Sequence, residues 1–434
     1  MRARYRAWPR RLAAVALLAC LGVARAADNP PLTLDAVLAL ADAAHPELDL
    51  ARSQAAAAQA ELALADSLND FQLSLEGGLR SGRNDYYGDR FHPDHQAQLI
   101  ARKRLYDGGR AEGRRLAARD EAGARALQVM DARAQRRLGL MTRYFDVLLA
   151  EMQYNADTEF MAVAYVNWDN AKDRHAIGQM PQWELAELEA RYQESRSRRN
   201  DTLRKLREKR MQLGLAMNRE GLVAEELADP GLPGNELALP DFDILLAHAR
   251  AHNPRLLAQA RLLEAARQRR EAARADYRPS LEFETAAAAW TRESSTRDDV
   301  RAGINFVLPL WQGGRQDASL AREQARIDEA QAQQARLDME LRDALRAAWE
   351  EIQYLRDSER LNASTQATYR DLALEKARAE YELELKTNLG TSMAETQVAK
   401  LRRRAVEYRL ALAWARIEAL LGTPLTEVKR KDKS

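Results

Sequence analysis

Four short runs along the chain alternate apolar and polar side chains, and each lies beside a far longer stretch with helical period. "FQLSLEGGLR" (71–80) sets Phe71, Leu73, Leu75 and Leu79 against Gln72, Ser74, Glu76 and Arg80. "AQLIARKRLY" (97–106) sets Ala97, Leu99, Ala101 and Leu105 against Gln98, Arg102 and Arg104, with Lys103 as one charge on the apolar side. "LEFETAAAAW" (281–290) and "VRAGINFVLPLW" (300–311) repeat the pattern, the first around Leu281 and Phe283, the second around Val300, Ile304, Phe306 and Leu308. Period two over ten to twelve residues predicts β-strands at about 71–81, 96–106, 280–291 and 299–311. The length also matches a transmembrane β-strand with a lipid face and a polar face; a small sheet packed on a helix is the competing reading.

Between these runs the period changes to 3.6. Met141, Tyr144, Phe145, Leu148 and Met152 fall on one helical stripe, and Leu341, Leu345, Trp349, Ile352 and Leu355 on another. Long helices are predicted at about 110–175, 182–217, 315–385 and 391–421, separated by glycine-containing breaks at 175–182 and 381–391. A helix of about 65 residues would be roughly 100 Å long, too long to wrap a compact core. Its stripe must pack along parallel neighbours, as in a coiled coil or a barrel of helices.

The pattern is written twice. "LTLDAVLALADAAHPEL" (32–48) matches "LPDFDILLAHARAHNPRL" (239–256), and "RLYDGGR" (104–110) returns as "LPLWQGGR" (308–315). The chain therefore divides into a first unit (27–226), a Pro- and Gly-containing linker (227–240), a second unit (241–426) and a charged tail (427–434). Each glycine pair stands where a strand hands over to a long helix. Tyr106 and Trp311 suit a membrane interface. Gly108, Gly109, Gly313 and Gly314 permit the change of direction, and Arg110 and Arg315 can reach headgroups or neighbouring helix ends. No lysine-hydroxyl pattern follows the glycines, so a phosphate loop is disfavoured.

Four strands cannot close a barrel, and an open edge in lipid leaves unpaired amides. If the strands span a membrane, copies of the chain must associate. No apolar run beyond the first 26 residues is long enough for a transmembrane helix.

Composition narrows the picture further. Residues 1–26 carry arginines, a short apolar core and "ARA" (24–26), the form of a secretory signal peptide. Losing its six arginines takes the net charge from +2 to −4, which is not the footprint of a nucleic-acid binder. Cys20, the one cysteine, lies inside this leader; the favoured reading removes it, whereas cleavage at "LLAC" (17–20) would leave it lipidated. "HPDH" (92–95), near Asp85 and Asp89, and the pair His248 and His252 have ligand-like spacings but lack a convincing third ligand, so no metal, cofactor or catalytic residue is assigned.

With "LTLDAVLALA…HPEL", "LYDGGR", "LPLWQGGR" and "LLGTPL" (420–425) in duplicated order, the chain resembles the TolC family of bacterial outer-membrane efflux proteins. The resemblance implies a homotrimer whose protomers each give four strands to a twelve-stranded barrel, above an α-helical tunnel through the periplasm. It further implies docking on a periplasmic adaptor and an inner-membrane transporter of the RND, ABC or MFS type, with no reaction catalysed. At the periplasmic tip, where the family often carries acidic rings, the first unit offers Glu184 and Glu187. The second unit offers Gly390 and Met393 at the approximate positions, with Glu395 the nearest carboxylate. The competing functional reading is a soluble periplasmic coiled-coil scaffold or adaptor.

Overall fold

The computed structural model of the chain describes residues 31–83, 90–221, 223, 225–291, 297–383 and 389–426. The leader with Cys20, the tail, Asp85 and Asp89, and part of the second helical break lie outside the described residues.

Helices α1 (Leu34–Ala39) and α2 (Pro46–Asp66) lead into strand β1 (Gln72–Gly78). A two-residue pairing of β2 (Ser81–Gly82) with β3 (His92–Pro93) follows, then β4 (Gln96–Tyr106), α3 (Arg110–Ala176) and α4 (Gln182–Ala216). The second half runs α5 (Phe242–His252), α6 (Pro254–Ala275), β5 (Ser280–Trp290), β6 (Val300–Val307), α7 (Arg315–Tyr354), α8 (Arg360–Glu382) and α9 (Leu389–Leu421). Helix starts are specified locally. Thr33 accepts from the Ala36 amide, Asp241 from that of Asp243, and Asn253 from those of Arg255 and Leu256.

The strands form one antiparallel sheet in the order β1-β4-β5-β6. Helices continue that order: α2 packs on α3, α3 on α6 and α6 on α7. The 67-residue α3 is supported along its length by α2, α4, α6 and α9 rather than by a globular interior. The two larger apolar clusters among the described residues lie between the helices. One joins Leu34, Val37, Leu140 and Phe145 to Leu213 and Tyr408; the other joins Phe242, Leu245, Leu345 and Ile352 to Leu410 and Ile417. Phe145 and Tyr408 stack at 4.4 Å between centroids, binding α3 to α9.

Three features differ from the sequence expectation. The last strand stops at Val307 rather than 311, because it is the sheet edge and Pro309 has no amide to donate. The helix expected over 315–385 contains a π-helical turn at Leu355–Glu359, which separates α7 from α8. The segment 227–240 is fastened rather than loose. Tyr408 donates to Asp229 at 2.6 Å, Asn235 to Glu407 at 2.7 Å, Arg356 to the Leu237 carbonyl at 3.1 Å and Trp349 to that of Pro240 at 3.0 Å. Leu32 pairs in parallel with Leu227, and the Tyr144 hydroxyl lies 2.8 Å from the Leu32 carbonyl and 2.5 Å from that of Ala228.

Candidate functional site

Cross-strand partners share a face of a sheet. The pairs Leu73–Ala101, Leu75–Leu99, Lys103–Phe283, Phe283–Ile304 and Leu281–Phe306 therefore define one side. It is apolar apart from Lys103 and Thr285, and it is open: Leu75 is 77% and Phe306 61% exposed. A bulge between Arg104 and Tyr106 sets Leu105 and Tyr106 together across from Leu281, about half exposed at the end of the strand.

The opposite side carries the charges. Glu284 accepts from Arg102 at 2.9 Å and from Arg301 at 3.0 Å, and Arg102 lies 3.9 Å from Glu76. One carboxylate thus ties β4, β5 and β6 while Arg102 reaches across to β1. A sheet that exposes leucines on one side and pairs ions on the other has the two-faced pattern of transmembrane β-strands. No helix among the described residues is long and apolar enough to cross a membrane.

The two strand-to-helix junctions are built differently. At the first, Gly108 (φ 71°) and Gly109 (φ 94°) turn the chain in the left-handed region. A Cβ on Gly108 would lie 2.4 Å from the Arg278 Cβ, and Arg278 donates to the Gly108 carbonyl at 2.8 Å. Asp107, buried, accepts from the Gly109 amide at 3.1 Å and the Ala111 amide at 2.8 Å, capping α3. Arg110 donates to Asp276, at the C-terminal end of α6, at 3.2 Å. At the second junction Gly313 also has a positive φ of 65°, but a Cβ there or on Gly314 would meet open space. Trp311 is 87% exposed, and Arg315 makes no ion pair among the described residues. Asp107 escaped the sequence reading; its signal was an acid three residues ahead of a helix start.

At the far end, α3 closes through Gly178 (φ 75°), and His175 donates to the Met180 carbonyl at 2.8 Å. Glu184 lies in the first turn of α4, half-buried and without an ion pair among the described residues. Glu187 is held by Arg191 and Glu395 by Arg370. Gly390 packs against α3, since a Cβ there would fall 2.7 Å from a Val163 methyl; Met393 is 40% exposed.

The histidines are engaged in structure. His95 accepts from the Arg80 amide at 3.2 Å, and Asp94 pairs with Arg297 at 2.8 Å. His248 and His252 stack at 4.1 Å, with His248 hydrogen-bonded to Thr423. Among the described residues no three metal-ligating side chains gather.

Residues 245–423 match the family model described as outer membrane efflux protein. No curated protein sequence matches the chain. Its fold is that of solved outer-membrane proteins. The outer membrane protein VceC of Vibrio cholerae aligns at 18% identity over 90% of this chain and 96% of its own, with a TM-score of 0.71. The CmeC outer membrane channel of Campylobacter jejuni gives 17%, 92%, 88% and 0.70. The open MtrE outer membrane channel of Neisseria gonorrhoeae gives 18%, 90%, 89% and 0.69. The chain is thus TolC-like: in sequence over residues 245–423, where the outer membrane efflux protein model matches, and in fold over nine-tenths of its length.

Proposed function

We propose that the chain is the outer-membrane exit duct of a tripartite efflux or type I secretion system. A periplasmic adaptor and an inner-membrane transporter deliver substrate, and the duct conducts it passively. The observation that carries this reading is the two-sided sheet, apolar and exposed on one face and ion-paired on the other, continuing strand by strand into long helices. Among the described residues both outer strands keep an unpaired edge, and an unpaired edge in lipid costs several kcal/mol per amide. Three copies would give twelve strands and remove every edge. The sheet then lies in the outer membrane and the helices hang in the periplasm as a tube.

Two measurements test this. The protein is expected to sediment with outer membranes, to require detergent for extraction, and to form stable conducting pores in planar bilayers. Recovery as a water-soluble monomer that yields no conductance sinks the proposal. Glu184, without a cationic partner near the α3–α4 turn, is assigned to the tip. Glu184→Ala is expected to lower the cation selectivity of the single channel, and unchanged selectivity removes that role.

A further inference from the structure

The end-to-end order of strands and helices leaves two free sides on each protomer: β1 with α2, and β6 with α7. What would fill the seam between them can be read from the α3–α6 seam inside the protomer. Positions 208 apart in the helix–strand arms, and 205 apart in the strand–helix arms, play the same parts. Val37 and Leu245 are both fully buried, as are Leu140 and Leu345. Tyr144 bonds the Leu32 carbonyl, and Trp349 bonds that of Pro240. Leu75 pairs with Leu99, and Phe283 with Ile304. Arg133 meets Asp42 at 2.5 Å, and at the matching positions Asp338 meets Arg250 at 2.6 Å with both charges reversed.

Among the ion pairs that cross the α3–α6 seam are Arg269 with Glu121, toward the sheet, and Arg255 with Asp131 at 2.7 Å, at the first turn of α6. Carried over by the same spacings, Glu121 becomes Arg326 and Arg269 becomes Glu61; Asp131 becomes Arg336 and Arg255 becomes Glu47. Both members change sign together in both pairs, so attraction is kept. Other pairs across the seam are not kept: Arg261 with Asp120 at 3.2 Å becomes Ser53 and Ala325, and Arg110 with Asp276 becomes Arg315 and Leu68.

Within the protomer these four side chains are under-used. Glu61 makes no ion pair among the described residues, and Glu47 is 77% exposed with only His45 at 3.9 Å. Arg336 holds only an i,i+4 contact with Glu340 at 3.4 Å. Arg326 shares the Glu323 carboxylate at 2.9 Å yet stays 49% exposed, with guanidinium donors to spare. We infer that α7 of one copy packs along α2 of the next through the ion pairs Arg326–Glu61 and Arg336–Glu47, charge-reversed counterparts of the pairs between α3 and α6.

The inference rests on the closed ring proposed above, and the same spacings fix the strand register at the seam. Lys103 opposite Phe283 becomes Leu308 opposite Leu75 of the next copy. The test uses the full chain in detergent. Arg326→Glu with Arg336→Glu is expected to cut the oligomeric fraction roughly tenfold at low salt, since each contact turns from attractive to repulsive. Glu47→Arg with Glu61→Arg does the same, and all four substitutions together restore the oligomer to within about twofold of the starting protein. Helical circular dichroism confirms that each variant is folded. Independently, Leu308→Cys with Leu75→Cys in a Cys20→Ala background is expected to give disulfide-linked multimers, whereas Leu308→Cys with Leu79→Cys gives none. If the charge-swapped protein is no more oligomeric than the reversed ones, the ion pairs are overturned even where the Leu308–Leu75 disulfide forms. If neither rescue nor disulfide is seen and the chain is monomeric, the closed ring falls with them.

Discussion

The segments around Gly108 and Gly313 share a sequence and differ in almost everything else. At the first, the glycine backbone lies against Arg278, an aspartate caps the helix, and an arginine reaches the end of α6. At the second, the matching residues face open space, Gln312 stands in place of Asp107, and Trp311 is bare. Like sequence in unlike surroundings shows which role belongs to the local chain and which to the neighbour. The turn itself needs only glycine. The lock needs a second helix beside it, and the protomer supplies that helix at one junction only.

The largest effect that separates the two is substitution of their first glycines. Gly108→Ala is expected to destabilise the chain by about 2–5 kcal/mol, combining a left-handed Cβ with overpacking against Arg278. Gly313→Ala meets the backbone cost alone, about 1–2 kcal/mol. Denaturant titration in detergent, followed by the helical signal, measures both, and equal losses would erase the distinction.

A second contrast lies in the belt where the halves are tied to the chain between them. Tyr144 has its hydroxyl pKa pushed up to about 12 by burial, above the ordinary value near 10. Its contribution to stability is therefore complete below pH 10 and is lost as the pH rises toward 12. The corresponding residue, Trp349, has no such titration. Tyrosinate absorbance should lose part of its highest-pH component in Tyr144→Phe, the rest belonging to tyrosines such as Tyr408, whose hydroxyl burial also pushes up, and should keep all of it in Trp349→Phe.

Smaller is the difference between Asp107→Ala, which strips two amides of their acceptor and should cost about 1–2 kcal/mol, and Gln312→Ala, which should cost almost nothing. Smallest is Arg110→Ala against Arg315→Ala. The Arg110–Asp276 pair is part-exposed and worth under about 1 kcal/mol, and in the isolated protomer Arg315 has no counterpart to lose. The same denaturation series ranks all four.

Much of this architecture was legible because its periods are long and clean. Alternation in the four runs marks the two faces that the pairing of Leu75 with Leu99 and of Phe283 with Ile304 puts together. The stripe through Tyr144 and Leu148 marks a buried helix face. Other features depend on information that no window of sequence holds. The π-helical turn at Leu355–Glu359 adds one residue to a turn without any glycine or proline to announce it. The end of β6 at Val307 reflects a missing partner strand, which is a property of the sheet rather than of "VLPLW". Fastening of 227–240 comes from Glu407, Tyr408 and Trp349, more than a hundred residues away. The region proposed as the tip was least legible, because Glu184, Glu187 and Glu395 differ only in whether an arginine happens to lie nearby.

The shared order of strands and helices has a geometric consequence. Each strand feeds one helix, so any ring built from this chain has as many staves in its upper section as in its lower. Strands tilted by about 40° occupy roughly 6 Å of circumference each, whereas packed helices need about 8–10 Å. The lower cylinder must therefore be wider than the upper by roughly half. In such a ring the glycine turns would be the collar at which the wall flares from the narrow gauge to the broad one.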